Sequence, residues 1–162
     1  MTIELRAIEL FGFHGVLEHE RSDGQRFLVD VELDYEDVVS EVAAFLEERL
    51  AFAVAAGIPE ERVCLDPGIG FGKTPDQNLE LVRRLDRIVA IGRPVLLGLS
   101  RKSTLARVLD GPEARVGTDA ASVGAAVAAF DRGATLFRVH DVRSHVEALA
   151  AAAAVERGTV RA

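Results

Sequence analysis

The chain has 162 residues, of which 49% are hydrophobic and 28% charged, and its formal net charge is −7 at pH 7. This length allows one ordinary domain or two very small ones, and the hydrophobic content supports a buried core and argues against disorder. The acidic balance disfavours a nucleic-acid-binding protein, whose affinity rests on basic side chains that neutralise phosphates.

The rest of the composition favours a cytoplasmic protein. The single cysteine, Cys64, excludes an intramolecular disulfide and any multi-cysteine metal site. No stretch approaches the roughly 18 consecutive apolar residues of a membrane span, and the N-terminal residues do not have the layout of a signal peptide. We therefore expect no membrane partner.

Two segments with a period of two residues predict an antiparallel β-hairpin at the start of the chain. Ile3, Leu5 and Ala7 alternate with polar residues, and the pattern shifts phase at Ile8, as a β-bulge would allow. A polar connection marked by glycines follows, and residues 27–35 alternate again as a second strand.

From about Tyr35 the period changes from 2 to 3.6, which predicts a helix that ends near Gly57. Beyond this helix the chain repeats three times a short apolar strand, a loop with glycine or charge, and an amphipathic helix. The predicted strands are residues 63–65, 94–99 and 134–139. We expect them to be parallel, because strands that alternate with helices are buried on both faces.

Capping patterns predict where two of the helices begin. Thr74 is the expected N-cap of one helix, with Pro75 at its first position and Gln77 reaching back to the cap. Ser144 and Glu147 repeat the capping-box spacing and predict the start of the last helix.

The glycine-rich segment at residues 66–74 carries the strongest signal for a ligand site. Its glycines let a ligand approach the backbone closely, and Asp66 follows a predicted strand end, where its carboxylate can accept two hydrogen bonds from an amino-heterocycle. Pro67 stands where a phosphate-binding P-loop needs glycine, so that motif is excluded. A glycine turn without a ligand is the alternative.

Two further strand ends carry cationic groups. After the second strand, Lys102, Arg101 and Ser103 at a helix start favour an anion, and the alternative is a solvated basic turn. After the third, Arg138 and His140 face the same way, which suits a phosphate or diphosphate clamp, and the alternative is an interior histidine with satisfied hydrogen bonds.

Because parallel strands end at one edge of a sheet, the acidic and cationic groups of these loops should meet there. We expect this cluster to contain Asp66, Lys102, Arg138 and His140.

The sequence from about residue 35 to the C-terminus resembles the C-terminal half of dihydropteroate synthase. The resemblance lies in Tyr35-x-Asp37-Val38-Val39, residues 66–74, Asn78-Leu79, Ser100-Arg101-Lys102-Ser103, Arg115-x-Gly117-Thr118 and Arg138-Val139-His140-Asp141. That family condenses 6-hydroxymethyl-7,8-dihydropterin diphosphate with p-aminobenzoate to give 7,8-dihydropteroate and diphosphate. The resemblance implies an α/β fold, a partial TIM (β/α)8 barrel of the last three β/α units behind the antiparallel hairpin.

The same resemblance implies roles for individual side chains. It assigns pterin binding to Asp66, Lys102 and Arg138, diphosphate binding to Arg138 and His140, and p-aminobenzoate binding to Phe71, Ser100 and Ser103. Lys102, Arg138 and His140 would be catalytic, because cations beside the departing diphosphate lower the barrier to its release. Mg²⁺ would accompany the diphosphate, although its usual asparagine ligand is not in this chain.

Residues 1–34 resemble instead the start of dihydroneopterin aldolase, another folate-pathway enzyme. The resemblance lies in Phe11-Gly12-Phe13-His14-Gly15-Val16, Glu20-Arg21 and Gly24-Gln25-x-Phe27. Glu20 is similar to a residue of that family's active site, but the family's catalytic lysine segment is absent. The predicted domains are thus an aldolase-like hairpin at 1–34 and a synthase-like pterin-binding half-barrel at 35–162, with a join near Asp34 and Tyr35.

Three functional hypotheses follow from these resemblances. The first is a dihydropteroate synthase, whose partners are pterin diphosphate and p-aminobenzoate. The others are aldolase activity of the N-terminal part, and a non-catalytic pterin-binding or fusion fragment. An incomplete barrel leaves an open strand edge and an uncovered apolar face, so we also expect a homo-oligomer or self-association.

Overall fold

The structure is a computed structural model that describes residues 2–34 and 37–159. Its contacts divide the chain into two compact units between Asp37 and Val38. The sequence placed the division at residues 34 and 35, and Tyr35 lies outside the described residues.

The first unit is an antiparallel hairpin of β1 (Thr2–Gly12) and β2 (Gln25–Asp34), with a short helix α1 (Glu18–Ser22) in the connection. The register shifts between Leu5 and Ile8, where the sequence pattern changes phase. Ala7 lies in this bulge with φ of 55°, and its N–H donates to the Asp30 carboxylate at 2.7 Å. The extra residue therefore gains a side-chain partner where the strand ladder supplies none.

The second unit alternates helices with short extended segments. Its elements are α2 (Val38–Ala55), a 3-10 helix (Glu60–Arg62), α3 (Pro75–Arg83), α4 (Asp86–Val89), β3 (Leu96–Leu97), α5 (Ser103–Asp110), α6 (Asp119–Phe130), β4 (Leu136–Phe137) and α7 (Val142–Arg157).

The three predicted strands lie side by side and parallel, but they are shorter than the sequence suggested. β3 pairs with β4, and Leu65 forms a single parallel bridge to Val95 on the other side of β3. The Leu65 N–H donates to the Pro94 carbonyl at 2.9 Å and the Leu96 N–H donates to the Leu65 carbonyl at 2.8 Å, which is the bonding pattern of a parallel bridge. The apolar runs at 94–99 and 134–139 thus extend beyond the residues that pair as strands.

The core of this unit lies between the helices and the three extended segments. α3 contacts α2, α5 and α6, and α6 packs on α7. The largest fully buried apolar side chains are Ile69, Leu81, Leu85, Ile88, Leu97, Val39 and Val95.

Apolar side chains also remain exposed on two helices. Phe45 and Phe52 on α2 are 58% and 66% exposed, and Val142 and Val146 on α7 are 62% and 61% exposed. The self-association expected from the sequence stays a prediction. Within the described ranges, no helix combines the length and the apolar character needed to cross a membrane.

One predicted helix start is confirmed. Thr74 Oγ1 accepts the Gln77 N–H at 3.2 Å, and Gln77 Oε1 accepts the Thr74 N–H at 2.8 Å, with Pro75 at the first helical position.

The predicted start of the last helix is wrong. α7 begins earlier, because the Asp141 carboxylate caps it by accepting the Ser144 N–H at 3.1 Å. Glu147 pairs instead with Arg143 at 2.9 Å. A carboxylate satisfies the first-turn N–H groups and also interacts favourably with the positive end of the helix dipole, so the cap falls on Asp141.

Candidate functional site

The loops that follow the three parallel segments bring polar side chains from distant parts of the sequence together. Arg138 Nη2, after β4, lies 3.4 Å from Asp66 Oδ2, after the Leu65 bridge. The other oxygen of Asp66 accepts the Gly68 N–H at 2.9 Å, which orients the carboxylate. The outer loops of the sheet are thus joined by an ion pair across the central segment.

Gly98, directly after β3, makes this crossing possible. A Cβ atom built on Gly98 would lie only 2.6 Å from Arg138 Nη2 and 3.0 Å from its Cζ. The guanidinium therefore lies against the backbone of the central segment, in space that any side chain at position 98 would occupy.

Lys102 brings a second cation to the same loops as the N-cap residue of α5. Its Nζ donates to the Ile69 carbonyl and lies 4.6 Å from the centroid of the Phe71 ring, in cation–π range. Burial of the ammonium, and secondly the nearby Arg138, lower the pKa of Lys102 below that of an ordinary lysine. Its stem also fits against Gly70, where a Cβ would be 2.8 Å from Lys102 Cδ.

Asn78 fastens the glycine loop to the start of α5, although the sequence indicated it only as a motif residue. It is 1% exposed, its Oδ1 accepts the Gly70 N–H at 2.8 Å, and its Nδ2 donates to Thr104 Oγ1 at 3.1 Å. The buried Leu81 and Val82, three and four positions later, place it on the apolar face of α3, and a polar residue on that face is the signal that could have identified it.

Lys73 closes the glycine loop on itself. Its Nζ donates to the carbonyl oxygens of Gly68 at 3.1 Å and Phe71 at 3.2 Å. These bonds satisfy two carbonyl groups that no strand or helix engages, so Lys73 holds the loop in a defined shape.

Ser100 and His140 form a hydrogen-bonded pair between the second and third loops. Ser100 is 7% exposed, its Oγ accepts the backbone N–H of His140 at 3.2 Å, and the same Oγ lies 3.0 Å from His140 Nδ1. The resemblance implies that Ser100 binds p-aminobenzoate, whereas in this structure its hydroxyl is hydrogen-bonded to His140. Of the other residues expected at that position, Phe71 is 67% exposed and Ser103 is half-buried at the first position of α5.

Arg101 turns away from the strand-end loops. It has φ of 57°, and its Nε and Nη2 donate to the Asp119 carboxylate at 2.7 and 2.8 Å. Its own N–H donates to Ser122 Oγ at 2.9 Å. Hydrogen bonding and charge from Arg101 lower the pKa of Asp119. The sequence predicts that Arg101 is a cation for an anionic ligand. Its guanidinium instead pairs with Asp119 and so joins this turn to α6.

Glu20, the residue suggested by the aldolase resemblance, lies in the hairpin unit. Its carboxylate accepts the N–H of Leu17, the N-cap residue of α1, at 2.9 Å, and it packs closely on Gly15. This contact is a local helix cap.

A magnesium ion has no protein cage in the described part of the chain. Among residues 2–34 and 37–159, no group of three or more His, Cys, Asp or Glu side chains could hold a metal ion. Mg²⁺ usually takes only one or two oxygens from the protein when substrate phosphates supply the others, so an ion that accompanies the diphosphate stays a prediction.

The charges of these loops suit a polar, anionic ligand. Asp66 presents a carboxylate acceptor with the Arg138 cation beside it, Lys102 is a second cation of the same loops, and His140 has a ring nitrogen that can donate or accept. Asp66 and Arg138 remain accessible, with side chains 40% and 59% exposed, so a ligand can reach both charges.

Comparisons with known proteins agree on one family. The family model described as pterin binding enzyme matches residues 4–140. A dihydropteroate synthase of Neisseria meningitidis serogroup C is 47% identical over 118 residues, which cover 72% of this chain and 41% of that protein. That of Streptococcus pyogenes serotype M3 is 36% identical over 141 residues, which cover 79% of this chain and 53% of that protein. The chain thus spans about half the length of the curated relatives it matches.

A solved structure has the same fold over most of the chain. The dihydropteroate synthase from Xanthomonas albilineans in complex with 7,8-dihydropteroate has a TM-score of 0.71 at 43% identity, over 76% of this chain and 48% of that one.

Proposed function

The chain belongs to the pterin-binding enzyme family, and we propose that it acts in folate biosynthesis as a dihydropteroate synthase. The reaction condenses 6-hydroxymethyl-7,8-dihydropterin diphosphate with p-aminobenzoate and releases diphosphate. The proposal includes the fold, in which the residues from Val38 onward form the last three β/α units of a TIM barrel. The parallel order of Leu65, β3 and β4 supports it.

The observation that carries the proposal is the meeting of Asp66, Lys102 and Arg138. A pterin ring presents an amino group and a ring N–H side by side, and a carboxylate matches that pair with two acceptor oxygens. The Arg138 guanidinium lies against Gly98, beside the carboxylate, where it can stack on a planar ring. Lys102, whose charge interacts with both Arg138 and Asp66, adds a further donor.

Release of diphosphate is the step these cations favour. The bond between the pterin methylene carbon and the diphosphate oxygen breaks, and its electron pair leaves with the diphosphate. Arg138 and His140, two residues apart, donate to the oxygens on which this negative charge develops. The arylamine nitrogen then forms the new bond to the methylene carbon and loses its proton to solvent, so the enzyme supplies no nucleophile.

The second substrate is proposed to lie beside Phe71 and the start of α5. The aromatic ring of p-aminobenzoate packs on the exposed Phe71 side chain, and its carboxylate accepts hydrogen bonds from Ser103 and the free N–H groups of the helix start. Binding of 4-aminobenzoate by a related synthase supports this part of the proposal. The structure from Thermus thermophilus in complex with 4-aminobenzoate is 50% identical with a TM-score of 0.67, over 76% of this chain and 49% of that one.

Calorimetry on the full chain tests the pterin site. Asp66→Asn removes a charged acceptor of two hydrogen bonds, so we expect it to weaken binding of the pterin diphosphate about 10- to 100-fold. Asp76→Asn, at an exposed position of α3, is the matched control and keeps the wild-type affinity.

The assay of dihydropteroate formation separates the functional hypotheses. Binding together with product formation supports the synthase, and binding without product, with and without Mg²⁺, supports a non-catalytic pterin-binding protein. A wild-type chain that gives no heat with pterin diphosphate contradicts both. Aldolase activity of the hairpin unit is a separate prediction, tested by release of glycolaldehyde from dihydroneopterin.

A further inference from the structure

We propose that Ser100 is a positioning residue that selects one tautomer of the neutral His140 ring, the one with the proton on Nε2. The inference deepens the proposed function, on which its catalytic meaning rests, because Nε2 is then a ready hydrogen-bond donor to the diphosphate. It also gives Ser100 a role other than the contact with p-aminobenzoate that the resemblance implies.

One of the two hydrogen bonds between Ser100 and His140 has a fixed direction. The backbone N–H of His140 can only donate, and it points to Ser100 Oγ at 3.2 Å. One lone pair of the hydroxyl oxygen is therefore occupied. The hydroxyl hydrogen and the second lone pair remain for His140 Nδ1, which lies 3.0 Å from the same oxygen.

Burial decides between the two possible directions of the second bond. If Nδ1 carried the proton, Oγ would accept twice and its own hydrogen would need a different acceptor. Ser100 is only 7% exposed, and the described residues offer its hydroxyl no other acceptor within hydrogen-bond distance. An unsatisfied buried donor costs about 1–3 kcal/mol. The hydroxyl therefore donates to Nδ1, and the ring proton lies on Nε2.

This tautomer gives His140 its orientation as well as its donor. The two bonds from Ser100 hold both the backbone and the inner edge of the imidazole, while the residue as a whole stays exposed to solvent. Nε2 lies on the ring edge away from Nδ1 and is left for a ligand. Arg138, two residues earlier at the same strand end, supplies the neighbouring donor.

His145 is a natural reference for the measurement, because its surroundings demand the opposite tautomer. It is 2% exposed, and its Nδ1 lies 2.6 Å from the carbonyl oxygen of Asp141. A carbonyl oxygen can only accept, so Nδ1 of His145 must carry a proton. We therefore expect the neutral rings of the two C-terminal histidines to be opposite tautomers.

Nitrogen NMR of the uniformly ¹⁵N-labelled full chain tests the tautomers without any substrate. Long-range proton–nitrogen correlations, recorded at a pH where the imidazoles are neutral, distinguish a protonated Nδ1 from a protonated Nε2. The chain has four histidines, and His140→Gln and His145→Gln assign the two signals. We expect His140 with the proton on Nε2 and His145 with the proton on Nδ1. A protonated Nδ1 in His140 overturns the proposal.

Calorimetry then separates positioning of His140 from contact with p-aminobenzoate. Ser100→Ala should weaken binding of the pterin diphosphate about tenfold, since it removes both bonds that hold the imidazole. Affinity for the same pterin without its diphosphate, and for p-aminobenzoate, should not change. Ser100→Thr keeps the hydroxyl and should recover most of the loss. Ser40→Ala, at an exposed position of α2, is the matched serine control and should bind the pterin diphosphate like wild type.

The outcomes of the two experiments are distinguishable. A loss of p-aminobenzoate affinity alone in Ser100→Ala, or an equal loss for both pterins, overturns the positioning role. A wild-type chain that binds no pterin contradicts the proposed function, while the NMR measurement still decides the tautomer of His140. Circular dichroism and urea midpoints of each variant establish that a loss of binding does not come from unfolding.

Discussion

Replacing Asn78 by alanine is the sharpest test of how the glycine loop is held in place. The side chain is 1% exposed and joins two segments that are remote in sequence, through the Gly70 N–H at 2.8 Å and Thr104 Oγ1 at 3.1 Å. Asn78→Ala removes both of these bonds, together with a longer one from Nδ2 to the Lys73 carbonyl at 3.5 Å, and leaves space that the surrounding core does not fill. The variant should therefore lower the stability of the second unit and loosen the loop that carries Asp66.

The magnitude follows from the two bonds and the groups they leave behind. Each hydrogen bond contributes about 1 kcal/mol net, and an N–H left without a partner costs about 1–3 kcal/mol. The Gly70 N–H lies in a part-buried contact, so its cost belongs near the low end of that range. Together these contributions give a loss of about 3 kcal/mol, a large part of the roughly 5–15 kcal/mol of a typical domain.

Urea unfolding followed by far-ultraviolet circular dichroism measures this loss. The chain has no tryptophan, and in the described residues every helix except α1 belongs to the second unit, so the helical signal reports on that unit. With a slope of about 2 kcal/mol per molar urea, the midpoint should fall by about 1.5 M. Arg87→Ala, at an exposed position of α4, should change stability by less than about 0.5 kcal/mol.

A double-mutant cycle with Thr104→Val isolates the bond between the two side chains. The coupling free energy between Asn78→Ala and Thr104→Val should be about 1 kcal/mol, because the two groups share one hydrogen bond. If the Asn78→Ala midpoint equals that of Arg87→Ala, the buried amide contributes nothing and this account of the loop is wrong.

Two further predictions concern the cationic loops. Gly98→Ala places a methyl group 2.6 Å from Arg138 Nη2, so the exposed guanidinium must move away. Calorimetry should find that the affinity for pterin diphosphate falls about tenfold, while the urea midpoint stays unchanged. An unaltered affinity would contradict the placement of Arg138. The second prediction concerns pH. Arg101 lowers the pKa of Asp119, so the ion pair stabilises the fold at pH values above the ordinary aspartate pKa of about 3.9. This contribution is lost as the pH falls through the lower pKa that Asp119 has in the folded state. Asp119→Asn should thus be less stable than wild type at neutral pH, with a difference that shrinks in acid; urea midpoints that differ equally at every pH would contradict this.

Short-range patterns predicted much of the secondary structure. The cap at Thr74 depends on residues three positions apart, and the sequence identified it correctly. The predicted strands are longer than the paired segments. An apolar run indicates that residues are buried, whereas strand pairing also requires a neighbouring backbone at the right distance. The spacing of Ser144 and Glu147 favours a cap on Ser144, whereas the cap of α7 lies on Asp141, three positions earlier.

The contacts that shape the candidate site were not accessible to the same reasoning. Asn78 meets its partner Thr104 across 26 positions, and Ser100 meets His140 across 40. No periodicity or spacing rule connects residues so far apart. The position of the Arg101 side chain was also not predictable from the sequence. Arg101 has a left-handed backbone conformation, which is uncommon for a residue other than glycine, and its side chain points towards α6. Nothing local in the sequence indicates that conformation.

The arrangement of charge links the stability of the fold to its proposed ligand. The chain carries a net charge of −7, yet this site brings Lys102 close to Arg138, with Asp66 as the neighbouring acid. Burial and the neighbouring guanidinium lower the pKa of Lys102, which means that folding disfavours its charged form. A bound anion acts in the opposite direction, since a negative charge near the ammonium raises its pKa again. Charged Lys102 therefore opposes folding in the empty protein and is stabilised in the complex, which is the direction required of a site that binds an anion and then stabilises its departure.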